Sequence, residues 1–355
     1  MRRVKNMISV NDKKYRVIDA NVYWIPEELF TDQDLFEAFL RTVPAEYGVR
    51  AVGYELDDGR KAIKIEKPFG YDNLNYFQGD YILEHQLKEM DEAGVDQAVM
   101  KLPGCQEWMN LDLCRKFNDL ASEFAAKSGG RMIPLAVVPP YGDQASLKEL
   151  DRCIDELHMH GVQISAHYGQ YYPDDPMFRE FFRHVNARKL PVYVHHTPLP
   201  VDYASLIDYN NLRRSFGRCQ DQVTAVSREI FSGMFDELPD LKMIHSMLGG
   251  AYFAFANMFF PTDSGGGRFQ AGREDIKEQF RNHIYFELSH SQPWGKECLE
   301  LAVKILGADH MIYGSSYPVK KVWLTGGPSF TADLEISEEE KNQILSGNAS
   351  RIYGI

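Results

Sequence analysis

The sequence predicts an α/β protein, a (β/α)8 TIM barrel carrying an insertion after its first strand. Short apolar, β-rich runs alternate with longer amphipathic segments, eight such runs are present, and most precede a segment whose apolar residues recur three and four apart. Parallel strands joined by helices follow, because a parallel pair needs a crossover long enough to hold a helix. Residues 1–355 are read as one barrel domain, with the insertion at about 32–78.

In chain order the expected strands are Arg16–Asp19, Gln97–Lys101, Met132–Val138, Val162–Ser165, Val192–His195, Lys242–His245, Ile284–Glu287 and Met311–Gly314. Helical spacing marks Tyr81–Glu92, Leu111–Ser128, Asp143–Leu157, Met177–Lys189, Gln222–Asp236, Gly295–Leu306 and Ser337–Ser346. Ser337-Glu338-Glu339-Glu340 reads as a capping box opening the last helix, and Gly161 and Gly307 stand just past helix ends. Within the insertion, Asp57-Asp58-Gly59-Arg60 has the composition of a hairpin turn. A connection of that length in a compact domain is commonly functional, often a lid. Ser264-Gly265-Gly266-Gly267 marks a second flexible point after strand six.

Composition excludes several function classes. Lys and Arg number 39 against 51 Asp and Glu, a formal charge of −12, with no basic run longer than a pair such as Arg2-Arg3. No surface built to neutralise phosphates is expected, so nucleic acid is excluded as a partner. No apolar stretch approaches the roughly 20 residues that span a bilayer, and no apolar core of a signal peptide follows Met1-Arg2-Arg3. The five cysteines are widely spaced without a CxxC pair, as expected of reduced thiols in a cytoplasmic protein. The expected partner is a small-molecule substrate.

In such a barrel the chemistry gathers at the carboxyl ends of the strands. The candidates there are Asn21, Tyr23, Lys101, His167, His195, His245, Glu287, His290 and Ser316, with histidine at or just beyond four consecutive strand ends. His196 is expected to point away from the lumen, because neighbours on a strand alternate direction. Arg213, Arg214 and Arg218 follow strand five and offer planar donor forks for an anion. Tyr168, Tyr171, Tyr172, Tyr252, Phe259 and Phe260 are candidate walls for a ring. Each has a plainer reading: a hydrogen-bonded support at a barrel end for His195 and His245, a satisfied buried carboxylate for Glu287, solvated helix charges for the arginines, and packing for the aromatics.

Five ordered segments carry a resemblance. They are Ile18-Asp19-Ala20-Asn21-Val22-Tyr23-Trp24-Ile25-Pro26, Met90-Asp91-Glu92-Ala93-Gly94-Val95-Asp96, Pro191-Val192-Tyr193-Val194-His195, Asp240-Leu241-Lys242-Met243-Ile244-His245 with Gly249-Gly250, and Ile312-Tyr313-Gly314-Ser315-Ser316-Tyr317-Pro318. Together they resemble the amidohydrolase superfamily, in the branch of aminocarboxymuconate-semialdehyde decarboxylase and the hydroxybenzoate decarboxylases. The resemblance implies a homodimer and a divalent metal held by two strand-one residues, the strand-five histidine and a strand-eight aspartate. Here those positions are Asn21, Tyr23, His195 and Ser316. One imidazole with neutral oxygens holds a divalent ion weakly, so no metal and no cofactor are expected. The rival arrangement is a displaced zinc or manganese ion among His195, His245, His290 and Glu287.

The expected function is a metal-independent carbon–carbon lyase, decarboxylase-like, acting on a small cyclic or aromatic carboxylated or phenolic compound. His245, His195, Tyr23 and Glu287 would be its acid–base groups, and Asn21, Lys101, His167, His290, Ser316 and Arg213 would bind the substrate. A hydrolase of a lactone or other activated bond, and a non-catalytic ligand-binding barrel, are the alternatives.

Overall fold

A computed structural model of the chain describes residues 8–10, 13–44, 48–197, 199–260 and 275–355. The eight barrel strands are Ile18–Tyr23, Gln97–Lys101, Met132–Pro134 continued by Ala136–Val137, Val162–Ser165, Pro191–His195, Lys242–His245, Ile284–Glu287 and Met311–Ile312. Strands one to three pair in parallel through the first half of strand three. Its second half starts a parallel run from strand four to strand eight. The ring closes where Ala20 N donates to Tyr313 O at 2.9 Å, Ser316 N to Asn21 O at 2.9 Å and Tyr23 N to Tyr317 O at 2.7 Å. Among the described residues, closure leaves the barrel itself without an open strand edge.

Alternation along the strands divides the apolar residues into a lumen and an outer layer. Ile18, Ala20, Val99, Ile133, Leu135, Tyr193, Ile244, Tyr285 and Ile312 fill the lumen, while Val22, Val192, Val194, Met243 and Phe286 pack outward with the helices. Strand one runs past the expected Asp19 because its polar side chains are satisfied in place. Asp19 Oδ1 accepts from Asn21 N and Ser315 N, each at 3.0 Å. Strand eight stops early because Tyr313 N turns to Ile344 O at 2.9 Å, leaving the barrel ladder for the last helical segment.

Helices follow strands two to seven at Leu111–Lys127, Gln144–Asp155, Arg179–Ala187, Gly217–Phe231, Ile276–His283 and Lys296–Leu306. The capping box at Ser337 forms, with Glu340 reaching back to the Ser337 backbone. The helix expected at Gln222–Asp236 starts five residues earlier, at Gly217, after a π-turn over Leu212–Phe216. Ser264-Gly265-Gly266-Gly267 lies outside the described residues. No described helix is long and apolar enough to cross a membrane, and all five cysteines are free thiols.

The stretch after strand one holds a helix, Gln33–Thr42, and an antiparallel sheet of Arg50–Glu55, Lys61–Glu66 and Asp72–Phe77. Its first turn falls at Asp57-Asp58-Gly59-Arg60, where Gly59 takes φ 82° and Leu56 N donates to Arg60 O at 2.8 Å. Phe39 stands edge-on to Tyr76 of this sheet and stacks on Phe117 of the barrel's outer layer, so the sheet is fixed above the strand ends.

Strand six leaves the barrel through a tight reversal in which Met247 to Ala251 all take positive φ. Gly250 meets the neighbouring helix so closely that a Cβ there would lie 1.9 Å from Cys219 O. Backbone cannot yield as a side chain can. Gly250→Ala is therefore expected to cost about 3 kcal/mol or more in urea unfolding, above the usual range for overpacking because a left-handed φ is forced as well.

Candidate functional site

A cavity of about 520 Å³ opens at the carboxyl ends of the strands. Tyr23, His195 and Ser316 lie on the barrel side, Leu74 to Phe77 and Tyr81 on the side of the inserted segment, and Arg214, Arg218, His196, Met247, His290 and Trp323 complete the walls. The volume and the aromatic lining suit one substituted ring.

On the barrel side, the Tyr23 hydroxyl sits 3.0 Å from His195 Nε2. His195 Nδ1 lies 2.6 Å from His196 O, and a carbonyl only accepts, so Nδ1 carries the proton and Nε2 accepts from Tyr23. Burial holds the His195 ring neutral, its pKa lowered to about 3, with the Arg218 and Lys101 charges adding to that effect. Burial also pushes the Tyr23 phenol up to about 12. The pair thus holds one proton firmly.

Beneath it lies a polar layer that meets the cavity at Ser316. Asn21 Nδ2 donates to Glu287 Oε2 at 2.9 Å and to Ser316 Oγ at 3.1 Å, and Ser316 Oγ donates to Ser289 O at 2.7 Å. Glu287 also accepts from Tyr193 OH at 2.8 Å and from Ser289, and burial raises its pKa. Lys101 lies in the same layer, its Nζ 3.0 Å from the centre of the Tyr193 ring and donating to Ala20 O. Burial lowers its pKa to about 7.

Arg218 is anchored through Asn73, whose Oδ1 and carbonyl accept at 3.0 and 3.3 Å, while its buried Nε has no partner. Burial, then the neighbouring Arg214 charge, lowers its pKa to about 10. Among the described residues neither arginine is ion-paired to a carboxylate. Two guanidinium groups one helical turn apart therefore face a shared cavity without an ion pair of their own, the Asp80 carboxylate that also lines it being paired with Arg60 at 3.8 Å.

The structure brings Tyr23, His195, His290 and Ser316 to the cavity, and places Asn21, Lys101 and Glu287 in the layer beneath. It does not bring His245, His167 or Arg213 there. His245 faces the outer helix, with Nδ1 2.8 Å from Gln222 Oε1 and Nε2 2.8 Å from Glu229 Oε2; Ile244 is the inward residue of that strand. His167 is held 2.9 Å from Asp221, which also accepts from Tyr172 and Thr197. Arg213 turns to Ile207 O, Asn210 and the face of Tyr71. Conversely His196, expected to point away, lines the cavity and stacks on His195 at 4.1 Å, because the strand ends at His195 and alternation ends with it. Trp323, stacked on His290 at 4.2 Å, and the cavity face of the inserted sheet carried no sequence signal beyond apolar spacing.

A family model described as Amidohydrolase matches residues 107–355. Gamma-resorcylate decarboxylase of Rhizobium sp. is 24% identical over 310 residues, covering 79% of this chain and 93% of the relative. The 2-amino-3-carboxymuconate-6-semialdehyde decarboxylase of Dictyostelium discoideum is 26% identical over 257 residues, covering 69% and 67%. The solved 5-carboxyvanillate decarboxylase of Novosphingobium aromaticivorans, complexed with manganese and 4-hydroxy-3-methoxy-5-nitrobenzoic acid, superposes with a TM-score of 0.75 at 18% identity over 99% of both chains.

The manganese corrects the expectation that no cofactor is involved: similar structures carry the ion, a second of them being a dihydroxybenzoic acid decarboxylase from Polaromonas sp.. The side chains at the positions the resemblance assigns to a metal do not fit it as they stand here. His195 Nε2 faces Tyr23 OH, Ser316 Oγ is spent on Ser289 O, and of the four only Asn21 leaves a buried oxygen, Oδ1, without a partner. The displaced site is not formed either, since His245 lies outside the cavity. Among the described residues no three His, Cys, Asp or Glu side chains are grouped to hold an ion.

Because His245 compensates the fully buried Glu229, its removal is expected to act on stability. His245→Leu should lower the unfolding free energy by about 3–5 kcal/mol in denaturant titrations, the cost of stranding a buried charge, and leave ligand affinity in the cavity of the folded fraction unchanged.

Proposed function

The chain belongs to the amidohydrolase family, and we propose that it is a carbon–carbon lyase that removes the carboxyl group from a small hydroxylated aromatic acid. One observation carries the reading: an Arg214–Arg218 pair without an ion-paired carboxylate and the Tyr23–His195 pair face the same ring-sized cavity. Guanidinium groups with no carboxylate of their own are suited to an anionic ligand, and the planar fork matches a carboxylate. The relatives named decarboxylases support the same chemistry.

The chain's own residues can carry the proton movements. His195 Nε2 accepts the substrate's phenolic proton, which raises electron density in the ring. The Tyr23 hydroxyl then delivers its proton to the ring carbon bearing the carboxylate. The bond to that carboxylate breaks, its electron pair restores the aromatic ring, and carbon dioxide leaves. His195 returns its proton to Tyr23 along their 3.0 Å contact, and the product departs as a phenolate that solvent protonates. A bound anion also favours the first transfer, since it offsets the Arg218 charge that helps hold His195 low.

The test is carbon dioxide release from a panel of hydroxybenzoates. Tyr23→Phe should lower kcat by about 10²–10⁴, the range for loss of a positioned acid, and Arg218→Met should raise KM about 10- to 100-fold, as for a lost charge-assisted hydrogen bond. Finding no carbon dioxide from any ortho- or para-hydroxybenzoate would sink the proposal. With His195 neutral down to about 3 and Tyr23 protonated up to about 12, kcat should be flat from about pH 5 to 10. A kcat limb near pH 6–7 that vanishes in the His195→Gln variant would contradict these assignments.

A further inference from the structure

We infer that His196 is a second substrate-contacting residue, a neutral Nε2–H donor for an anionic oxygen of the ligand, and that Ser246 and Gln222 impose this tautomer. The proposal rests on reading the cavity as an aromatic-acid site; the tautomer itself follows from hydrogen-bond accounting.

The accounting starts at Val194, whose carbonyl can only accept. Gln222 Nε2 lies 3.3 Å from Val194 O and 3.1 Å from Ser246 Oγ, which fixes the amide orientation and leaves Oε1 towards His245 Nδ1 at 2.8 Å. Ser246 Oγ accepts a second hydrogen bond from His196 N at 3.0 Å. Both of its lone pairs are then used, and its single hydrogen remains. Among the described residues its only further partner is His196 Nδ1, at 3.2 Å. That nitrogen therefore accepts, and the proton of the His196 ring sits on Nε2.

His195, stacked on it at 4.1 Å, is set the other way, since its Nδ1–H donates to His196 O and its Nε2 accepts. Two adjacent imidazoles lining one cavity thus have opposite polarity. The first receives a proton, and the second offers one in a hydrogen bond. An N–H donor beside the Arg214–Arg218 pair suits a carboxylate or phenolate oxygen and disfavours a cationic group. His245, itself held by Glu229, meets Gln222 Oε1 from the outer side, while the amide orientation that matters to Ser246 is already set by Val194 O.

Nitrogen-15 spectra of histidine-labelled protein read the tautomer without any turnover. The expected result is an unprotonated Nδ1 and a protonated Nε2 for His196, with Nδ1–H appearing in Ser246→Ala and the original pattern kept in Ser246→Thr, which retains the hydroxyl. In parallel, salicylate binding by calorimetry should weaken about tenfold in His196→Phe and severalfold in Ser246→Ala, with recovery in Ser246→Thr. A protonated Nδ1 in the wild type, or a Ser246→Ala variant with unchanged tautomer and unchanged affinity, overturns the proposal. If the tautomer and affinities follow but no hydroxybenzoate releases carbon dioxide, the donor stands and the lyase reading fails.

Discussion

The carboxylate of Glu287, fully buried at the end of strand seven, is where the separate strands are tied into one floor. It accepts from Asn21 of strand one, Tyr193 of strand five and Ser289 just beyond its own strand. Burying a carboxylate is costly unless its lone pairs are met, and here every donor comes from a residue that also positions something above. Asn21 passes its second amide hydrogen to Ser316, which in turn donates to Ser289 O, and Ser316 is held at φ 57° in consequence. Gly314 has no side chain because a Cβ would lie 1.9 Å from Glu287 Oε1. The Glu287 carboxylate, satisfied in this way, ties the layer into one base, in which Asn21 Oδ1 keeps no partner, and above it stand Tyr23 and His195.

Above that base the charge balance reverses. The chain as a whole is acidic, at −12, yet the cavity is lined by two arginines without an ion-paired carboxylate and by His195, His196 and His290, which burial holds neutral, beside the carboxylate of Asp80. Cations without an ion pair in a partly enclosed site carry a desolvation cost that an anionic ligand offsets on binding. Arg218 is held at its post by Asn73 of the inserted segment, so the segment that covers the cavity also sets its electrostatics. The same layering separates positions: His245 and Glu229 lie in the outer shell, while His195 and His196 line the cavity.

The barrel was legible because its strands are short apolar runs buried on both faces, where hydrophobicity alone marks position. The turn at Asp57-Asp58-Gly59-Arg60 was legible from turn chemistry. Side-chain direction at the strand ends was not. His245 and Ile244 differ by one position, and a single step in register exchanges lumen for helix layer; His196 escapes the alternation because the strand has already ended. Among Arg213, Arg214 and Arg218 the choice depends on the π-turn at Leu212–Phe216, which inserts one residue and shifts the helical phase, so that Arg213 turns away and the other two face inward. Composition and periodicity carry no trace of that shift. The cofactor expectation failed for a different reason: ligand residues missing from one sequence say nothing about what similar structures carry.

The most direct measurement is a crystal structure of the protein with a bound hydroxybenzoate. The account predicts the ring within the cavity under the inserted sheet, its carboxylate or phenolate oxygens on Arg214, Arg218 and His196 Nε2, and a ring carbon within reach of the Tyr23 hydroxyl. A ligand bound outside this cavity, or one inside it with its anionic groups turned away from both arginines, would contradict it.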